Sequence, residues 1–227
     1  MTEIVILTGA GISAESGLGT FRDEGGLWAQ HRIEDVATPE GFARNPQLVS
    51  DFYNARRAQA AEAAPNAAHL ALSKLSAARD VLIVTQNVDD LHSRGGESHV
   101  LYMHGRLNRA FCTFCDHHFD APMVMAPDDP CPACGRPGTR PDIVWFGEIP
   151  HHMEAIDHAL SQAHTFVSIG TSGNVYPAAG FVQAARSYGL HTVELNMEPT
   201  QGSVFAERHV GPATEVVPAW VKAQLQG

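Results

Sequence analysis

The sequence has little basic charge and lacks any long hydrophobic run. Lys and Arg together number 15 against 25 Asp and Glu, so the formal net charge is −10. Binding along a nucleic-acid backbone requires clustered basic side chains. The strongest apolar run, Val81 to Val84, has four residues, whereas a membrane span needs roughly 20. We therefore expect no nucleic-acid partner and no membrane span.

Signals for export and for disorder are also absent. No basic segment precedes the first apolar run, 4–7, so we expect no signal peptide and a cytoplasmic location. The sequence contains no internal repeat and no low-complexity linker. Its 227 residues, of which 44% are hydrophobic, suffice for one large domain or for a main domain with a small insert. The acidic balance is compatible with basic peptides as partners, and the oligomeric state stays open, a monomer included.

All four cysteines occur in two Cys-x-x-Cys pairs, Cys112 with Cys115 and Cys131 with Cys134. The spacing of the pairs is typical of zinc ribbons, in which two tight turns direct four thiolates at one ion. Disulfides are rare in reducing compartments, and a redox-active pair does not account for two copies. Four thiolates leave no open coordination position, so we predict one structural Zn²⁺ and interpret the histidines at 117 and 118 as surface residues.

Short apolar runs alternate with helical patterns along the rest of the chain. Four runs are typical of buried strands: 3–8, 80–85, 163–170 and 191–196. Helical patterns cover 45–57, 60–78 and 178–188. The segment 18–41 is polar and Gly-rich, and we predict a long functional loop there. This alternation predicts an α/β fold with an open parallel sheet whose ligand lies at the carboxyl ends of the strands.

A glycine-rich turn follows the first predicted strand. Gly9-x-Gly11-x-x-Ala14 matches the dinucleotide fingerprint, in which the glycines let the backbone approach a pyrophosphate and the next helix offers free N–H groups. A dehydrogenase of this type needs a second strand about 20 residues later that ends in an acidic residue, but that region is a polar loop here. The acid-then-amide pair Glu194 and Asn196 follows a later strand and could bind the adenosine ribose. We therefore expect a nucleotide ligand without simple hydride transfer.

Three predicted strands end in polar clusters, at 85–89, 170–172 and 194–196. The carboxyl ends of parallel strands meet at one edge of a sheet, so these clusters are expected to converge on one crevice. Each cluster alone could instead be a helix cap, as Asp89 could be. His104 follows a short apolar run, and most isolated histidines are structural or exposed. Because imidazole titrates near neutral pH, His104 is nonetheless the best candidate for a general base if it faces the crevice.

Together these motifs resemble the sirtuins, which are NAD-dependent protein-lysine deacylases. The blocks that carry the resemblance stand in the family's order: GAGISAESG at 9–17, TFR at 20–22, TQNVD at 85–89, HG at 104–105, the paired CxxC, GTS at 170–172 and ELN at 194–196. The resemblance extends from Glu3 to about Val217. The start at the first strand resembles the short bacterial members, and 28–57 is similar to the class III branch.

The resemblance implies a fold and a set of NAD contacts. A Rossmann-like domain would comprise 1–30, 65–107 and 141–227, and a small domain would combine a helical insert, 31–64, with a zinc-ribbon insert, 108–140. NAD would lie between the two domains. The NAD-binding positions implied by the family's motifs are Gly9, Ala10, Gly11, Ser13, Ala14, Glu15, Thr20, Phe21, Arg22, Trp28, Gln86, Asn87, Val88, Asp89, Gly170, Thr171, Ser172, Asn196, Met197, Glu198 and Ala213.

The resemblance also implies a reaction in which NAD is consumed. The amide oxygen of acyl-lysine would attack C1′ of the nicotinamide ribose, and His104 would accept a proton from the ribose hydroxyls. The products would be nicotinamide, free lysine and 2′-O-acyl-ADP-ribose. Val144, Phe146 and Gly147 would pair with the backbone of the substrate peptide as an added strand.

The acyl group is indicated by Tyr53 and Arg56, which are three residues apart on a predicted helix. A phenol and a guanidinium together suit a carboxylate, and this pair is associated with succinyl- and malonyl-lysine in class III sirtuins. A solvated helix face is the alternative, and Asp23 and Glu24 could repel a carboxylate. Two other functions stay open: mainly a deacetylase with weak desuccinylation, and a catalytically weak NAD or ADP-ribose-binding regulator.

Overall fold

The computed structural model describes residues 2–19, 30–202 and 204–226, which contain nine strands. In chain order the strands are β1 (Ile4–Thr8), β2 (Val81–Thr85), β3 (Val100–Tyr102), β4 (Gly105–Cys112), β5 (His118–Asp120), β6 (Thr139–Ile143), β7 (Thr165–Ile169), β8 (His191–Asn196) and β9 (Glu207–Val210). The helices in the same ranges are α1 (Gly11–Ala14), α2 (Ile33–Val36), α3 (Pro39–Arg44), α4 (Pro46–Glu62), α5 (Ala67–Ala78), α6 (Leu91–Arg94), α7 (Met153–Gln162), α8 (Phe181–Ser187) and α9 (Ala213–Gln226).

Six of the strands form a central parallel sheet in the order β3-β2-β1-β7-β8-β9. The four strands predicted from apolar runs are its four inner strands, and the predicted parallel α/β sheet is therefore confirmed. The edge strands β3 and β9 were not predicted. β3 spans only three residues within the short apolar run before His104, and β9 is mainly polar and lacks the continuous apolar run that marks a buried strand. The carboxyl ends of β1, β2, β7 and β8 lie at one edge, where Thr8 is level with Thr85 and Ile169.

One predicted helix is interrupted at a proline. We predicted a single helix over 60–78, but α4 ends at Glu62 and α5 begins at Ala67, after Pro65. The residue before a proline is disfavoured in helical conformation, and Asn66 then caps α5 by accepting the N–H of Ala68 at 2.9 Å. Alanine content favours a helix on either side, but it does not overcome the proline.

Other segments hold more structure than predicted. Two short helices, α2 and α3, begin inside the predicted loop 18–41. The segment predicted as one helix over 178–188 begins as a 3₁₀ turn and becomes α8 at Phe181. Helices α7 and α9 were not predicted.

The central sheet is covered by helices on both faces. Ile4 and Ile6 of β1 pack toward Leu72 of α5 and Trp220 of α9. The alternate side chains of the same strand, Val5 and Leu7, lie in a second cluster with residues of α7 and α8. Because β1 is buried on both faces, its sequence is a continuous apolar run rather than an alternating one.

The remaining strands form a small antiparallel sheet in the order β5-β4-β6. A third apolar cluster joins this sheet to the helices α2–α4, with Leu107 of β4 and Ile143 of β6 packed near Val49 and Phe52 of α4. Strands β4 and β6 extend past both ends of 108–140, and the domain boundaries given above remain a prediction. In the part of the chain that the structure describes, no helix has the length and apolarity needed to cross a membrane.

Candidate active site

A cleft of about 1030 Å³ opens at the carboxyl ends of the inner strands. It lies between the central sheet and the small module, by which we mean the antiparallel sheet β5-β4-β6 with the helices α2–α4. This volume is at the upper end of what small-molecule sites usually have. Most of the site residues expected from the sequence line it: Ala10, Gly11, Ser13, Ala14, Glu15, Tyr53, Arg56, Gln86, Asn87, Val88, Asp89, His104, Val144, Phe146, Gly147, Gly170, Thr171, Ser172, Asn196, Met197, Glu198 and Ala213. The predicted convergence of the polar clusters on one crevice is therefore found in the structure.

Some expected site residues are not among the lining residues. Gly9 lies beside the cleft rather than in its wall, because its N–H is bonded to Ile169 O at 3.0 Å and a Cβ there would lie 2.8 Å from Gly170 O. The expected contacts of Thr20, Phe21, Arg22 and Trp28, and the effect of Asp23 and Glu24, concern positions outside the described residues.

The glycine turn after β1 packs closely against the turn after β7, and three of its N–H groups are not free to bind a ligand. A Cβ on Gly11 would lie 2.7 Å from Gly170 Cα, so only glycine lets the turn after β1 contact the turn after β7. We expected free N–H groups at the start of α1. In the structure the N–H groups of Gly11, Ile12 and Ser13 donate to Gly170 O, Gly9 O and Ala10 O, at 2.8, 3.2 and 3.1 Å. The small side chains of the turn therefore leave room for a ligand, and these three backbone donors are already engaged.

A chain of buried polar groups forms one wall of the cleft. Asn87 donates its amide N–H to Ser13 Oγ at 3.1 Å, and Ser13 donates to Asp89 Oδ2 at 3.1 Å. Asp89 also accepts the N–H of Leu91 at 3.1 Å, although the N-cap position of the helix α6 is occupied by Asp90 rather than by Asp89. Burial raises the pKa of Asp89, while these hydrogen bonds oppose the rise. The three side chains are held in fixed orientations and present polar atoms suited to an amide-bearing ring.

His104 lies in the cleft with one ring nitrogen fixed. Its Nδ1 is 3.0 Å from Gln86 O. A carbonyl oxygen only accepts, so Nδ1 carries the hydrogen and Nε2 presents a lone pair in the neutral ring. Burial is the main cause that lowers the pKa of His104, and the neighbouring charge of His151 lowers it further. The ring is therefore neutral at physiological pH and able to accept a proton.

The cleft is also lined by Tyr53 and Arg56 on α4. Tyr53 is 1% exposed, and its hydroxyl accepts the indole N–H of Trp145 at 2.9 Å. Arg56 lies 5.9 Å from the ring centres of both Phe52 and Tyr53. Burial lowers the pKa of Arg56, and the charge of Asp89 opposes this. The pair faces the cleft, so the alternative of a solvated helix face does not hold.

The adjacent Arg57 has a different environment. Its guanidinium donates to Asn54 Oδ1, to Met123 O at 3.1 Å and to Leu107 O at 3.4 Å. These contacts fasten the segment after β5 to α4. Arg57 is therefore a structural residue, although the sequence alone does not distinguish it from Arg56.

The segment after β6 forms the rim of the cleft. The N–H of Val144 donates to His104 O at 2.9 Å, and that of Phe146 donates to Ala37 O at 3.0 Å. Gly147 has a positive φ of 93°, a conformation that glycine adopts without strain. Because these two N–H groups are engaged, pairing of Val144 and Phe146 with a peptide would depend on their carbonyl oxygens.

The acid-then-amide pair, which the sequence suggested for the adenosine ribose, separates in the structure. Asn196 lines the cleft and donates to Thr171 O at 2.8 Å. Glu194 is buried beneath it, where Oε1 accepts the N–H of Thr200 at 2.8 Å and Oε2 is 3.0 Å from Arg208 Nε. The suggestion that Glu194 binds a ribose is therefore wrong, because its carboxylate is already used within the protein. Residues two apart on a strand lie on the same face, so the spacing suggested a shared role for Glu194 and Asn196 that the buried partners of Glu194 exclude.

Several lining residues were missed. The segments Asn174–Pro177 and Pro199–Gln201 contribute to the wall, as does Gln59, which is six residues after Tyr53 on α4. The first two are irregular segments, whose paths no periodicity predicts. Gln59 could have been found, because it shares the helix face of Tyr53 and Arg56.

The four cysteines form a compact cluster in the small module. Their sulfur atoms lie within 4.8 Å of one another, and the Sγ atoms are 3.8 Å apart both for Cys112 with Cys134 and for Cys115 with Cys131. A tetrahedral zinc site with bonds of about 2.3 Å separates its sulfurs by about 3.8 Å, whereas a disulfide bond is about 2 Å long. The N–H of Phe114 also donates to Cys112 Sγ at 3.4 Å. The donor set fits one structural zinc ion, as predicted.

These features define a class of protein: an α/β nucleotide-binding protein with a zinc-stabilised module and an imidazole base in its cleft. Residues 9–177 match the Sir2 family. A protein of Bdellovibrio bacteriovorus named NAD-dependent protein deacylase is 58% identical over 98% of this chain and 97% of its own. The chain belongs to the Sir2 family, and the resemblance to sirtuins is confirmed.

Solved structures agree with this assignment. A Sir2 homologue in complex with NAD is 35% identical, covers 99% of this chain and 90% of its own, and superimposes with a TM-score of 0.91. A Sir2 protein with a deacetylated p53 peptide and 3′-O-acetyl-ADP-ribose is 26% identical, covers 97% of this chain and 93% of its own, and has a TM-score of 0.81.

Proposed function

We propose that this chain is an NAD-dependent protein-lysine deacylase that removes succinyl, malonyl and acetyl groups. The observation that carries the proposal is the position of His104, whose unprotonated Nε2 lies in the same cleft as the glycine turn and Arg56. The relatives named NAD-dependent protein deacylase and the Sir2 structures with NAD and with a deacetylated peptide support it.

The NAD end of the cleft is assigned to the glycine turn and the polar wall. Ala10 and Gly11 would lie beside the pyrophosphate, where a larger side chain would occupy the space. Asn87 and Asp89 would hold the nicotinamide amide, and Asn196 would hold the adenosine half. When bound, NAD supplies a glycosidic bond whose cleavage leaves nicotinamide and a ribose carbon open to attack by the acyl oxygen of the substrate.

His104 would act as the general base. The carbonyl of Gln86 fixes its tautomer, so the ring does not have to reorient before it accepts a proton from the ribose hydroxyls at Nε2. Its lowered pKa keeps it unprotonated at neutral pH. The zinc ion would keep the small module folded and, with four thiolate ligands, would take no part in bond making.

Tyr53 and Arg56 would bind the terminal carboxylate of a succinyl or malonyl group. A carboxylate beside Arg56 would offset the free-energy cost of burying that cation. Arg56 can bind both carboxylate oxygens, and Tyr53 can donate its hydroxyl proton. An acetyl group would fill the same space without these contacts.

The proposal is tested by mass spectrometry of the products formed from NAD and one lysine peptide carrying an acetyl, succinyl or malonyl group. We expect deacylated peptide, nicotinamide and the corresponding O-acyl-ADP-ribose in equal amounts. Binding of NAD without any product would favour the regulator instead.

Replacing Arg56 tests the acyl assignment. Arg56→Met keeps most of the apolar stem and removes the charge, so kcat/KM for the succinyl peptide should fall by 10-fold or more relative to the acetyl peptide. Asp51→Asn, on an exposed position of the same helix, is the matched control and should leave the ratio unchanged. Equal losses on both peptides for Arg56→Met would contradict the carboxylate role.

A further inference from the structure

The hydroxyl of Tyr53 is oriented by a tryptophan from another part of the fold. Tyr53 lies on α4, whereas Trp145 follows β6, 92 residues later. The indole Nε1 donates to the Tyr53 oxygen at 2.9 Å, and both side chains are almost completely buried, at 1% and 2% exposed. The hydrogen bond is therefore shielded from water, which increases its orienting effect.

The ring and the backbone of Trp145 are each held by a neighbouring charged side chain. The guanidinium carbon of Arg140 lies 3.5 Å from the centre of its ring. Arg140 donates to both carboxylate oxygens of Glu148, at 2.7 and 2.9 Å, and Glu148 accepts the backbone N–H of Trp145 at 2.8 Å. The planar Arg–Glu pair and the stacked guanidinium leave the indole little freedom to rotate.

The direction of the Tyr53 hydrogen bond determines what that hydroxyl can do for a ligand. An indole N–H only donates, so Trp145 occupies an acceptor site on the Tyr53 oxygen and leaves the phenolic hydrogen available for another partner. Burial raises the pKa of Tyr53, which keeps the phenol protonated. Arg56 and Tyr53 line the same cleft, so this hydrogen can be donated to a carboxylate that Arg56 also binds.

We propose that Trp145 is a positioning residue for acyl selectivity, because its indole N–H orients the Tyr53 hydroxyl as a donor to the carboxylate of a succinyl or malonyl group. This inference rests on the proposed function of the cleft. It adds Trp145, which lines the same cleft and would act through the Tyr53 hydroxyl.

The inference also connects the small antiparallel sheet to the acyl end of the cleft. Arg140 belongs to β6 and pairs with Phe111 of β4, which directly precedes the zinc-binding Cys112. The Arg140 guanidinium lies between Phe111 and Trp145, 4.9 and 3.5 Å from their ring centres. The small antiparallel sheet, whose strand β4 ends at Cys112, thereby restricts the orientation of the indole ring through Arg140.

The test is Trp145→Phe, which removes the N–H and keeps an aromatic ring. We expect the ratio of kcat/KM for succinyl over acetyl peptide to fall about five- to tenfold, the value of one net hydrogen bond. Trp220→Phe is the matched control: Trp220 is 3% exposed in the opposite core, and its indole nitrogen has no hydrogen-bond partner among the described residues. That variant should leave the ratio unchanged.

A double-mutant cycle with Tyr53→Phe separates positioning from general loosening. If Trp145 acts through the Tyr53 hydroxyl, Trp145→Phe should lower the ratio in the parent enzyme and have no further effect in Tyr53→Phe. A fall of equal size in both backgrounds would overturn the inference. Arg140→Lys, which removes the planar guanidinium stacked on the indole and keeps the positive charge, should lower the ratio in the same direction and replaces Trp145→Phe if that variant does not fold.

The outcomes distinguish the inference from the function on which it rests. A lower ratio for Tyr53→Phe with an unchanged ratio for a folded Trp145→Phe would refute the role of Trp145 alone. An unchanged ratio for Arg56→Met and Tyr53→Phe would refute the carboxylate site, and with it this inference. Absence of deacylation by the parent enzyme would refute the proposed function.

Discussion

At the scale of single residues, His104 shows how the backbone prepares a side chain for catalysis. The Gln86 carbonyl holds one ring nitrogen, burial keeps the ring neutral, and the strand that follows begins at Gly105. A Cβ at Gly105 would lie 2.0 Å from Asp142 O, and its φ is 81°. A glycine is therefore required directly after His104 for the two strands to approach.

Replacing His104 by Ala should lower deacylation by 10²- to 10⁴-fold, the usual contribution of a general base. The other groups that line the NAD end of the cleft are unchanged, so calorimetry should still detect NAD binding. Because burial lowers its pKa, His104 gains a proton at a lower pH than an ordinary histidine of pKa 6.5, so kcat/KM in the parent enzyme should begin to fall only below that pH. Unchanged turnover in His104→Ala would show that another group is the base.

At the scale of elements, the two long strands of the small sheet connect the zinc cluster to the cleft. β4 begins beside His104 and ends at Cys112, and β6 begins level with Cys112 and ends opposite Gly105. The small sheet has little core of its own, because most of β5 and the segments around the cysteines are exposed. The metal therefore has to supply much of the stability of this module.

Removing zinc with a chelator, or replacing Cys131 by Ser, should unfold the small sheet and abolish deacylation without any direct role of the metal in the reaction. Metal analysis should give one zinc per chain before treatment, and limited proteolysis should cut between 112 and 138 after it. His118→Ala is the control, because His118 bonds Asp142 at 2.9 Å rather than the metal, and it should keep its zinc. A stable, active enzyme without zinc would contradict the structural role.

At the scale of the whole molecule, two buried histidines make folding sensitive to acid. His69 and His92 are at most 1% exposed, and their rings are in contact with centroids 5.0 Å apart. His92 Nε2 is 2.9 Å from Thr8 Oγ1, which bridges to Thr85. Burial lowers the pKa of His69 to about 4 and that of His92 to about 3. Both rings are neutral in the folded protein, whereas the unfolded chain takes up protons near the ordinary pKa of 6.5.

Because the unfolded chain binds more protons than the folded protein, acid lowers the stability of the fold. The full free energy of unfolding is present above pH 6.5. As the pH falls from 6.5 toward 4, each histidine lowers the free energy of unfolding by about 1.4 kcal/mol per pH unit. His69→Gln removes one titrating ring and retains a side chain suited to the capping box with Asn66. Denaturant unfolding from pH 7 to 4 should show the parent losing about 3 kcal/mol relative to this variant. Parallel curves would contradict the assignment, and His158→Gln, at an exposed position, is the control.

Much of the fold could be predicted because it depends on local patterns. Continuous apolar runs identified β1, β2, β7 and β8, since a strand buried on both faces cannot alternate. Spacing alone identified the zinc cluster, because two Cys-x-x-Cys turns can place four sulfurs around one point. The edge strands and α9 were missed, as their patterns are short or partly polar and their conformation depends on the neighbours against which they pack.

The sequence by itself determined the sheet, the metal site and the motifs of the cleft, because each depends on residue types at fixed short spacings. Only the tertiary structure decided which distant groups these residues contact. In the folded protein, Glu194 is buried against Thr200 and Arg208. Arg56 lines the cleft whereas Arg57 bonds backbone carbonyls, and the indole of Trp145 donates to the hydroxyl of Tyr53. Such choices depend on which buried polar group finds a partner across the fold, and no local pattern carries that information.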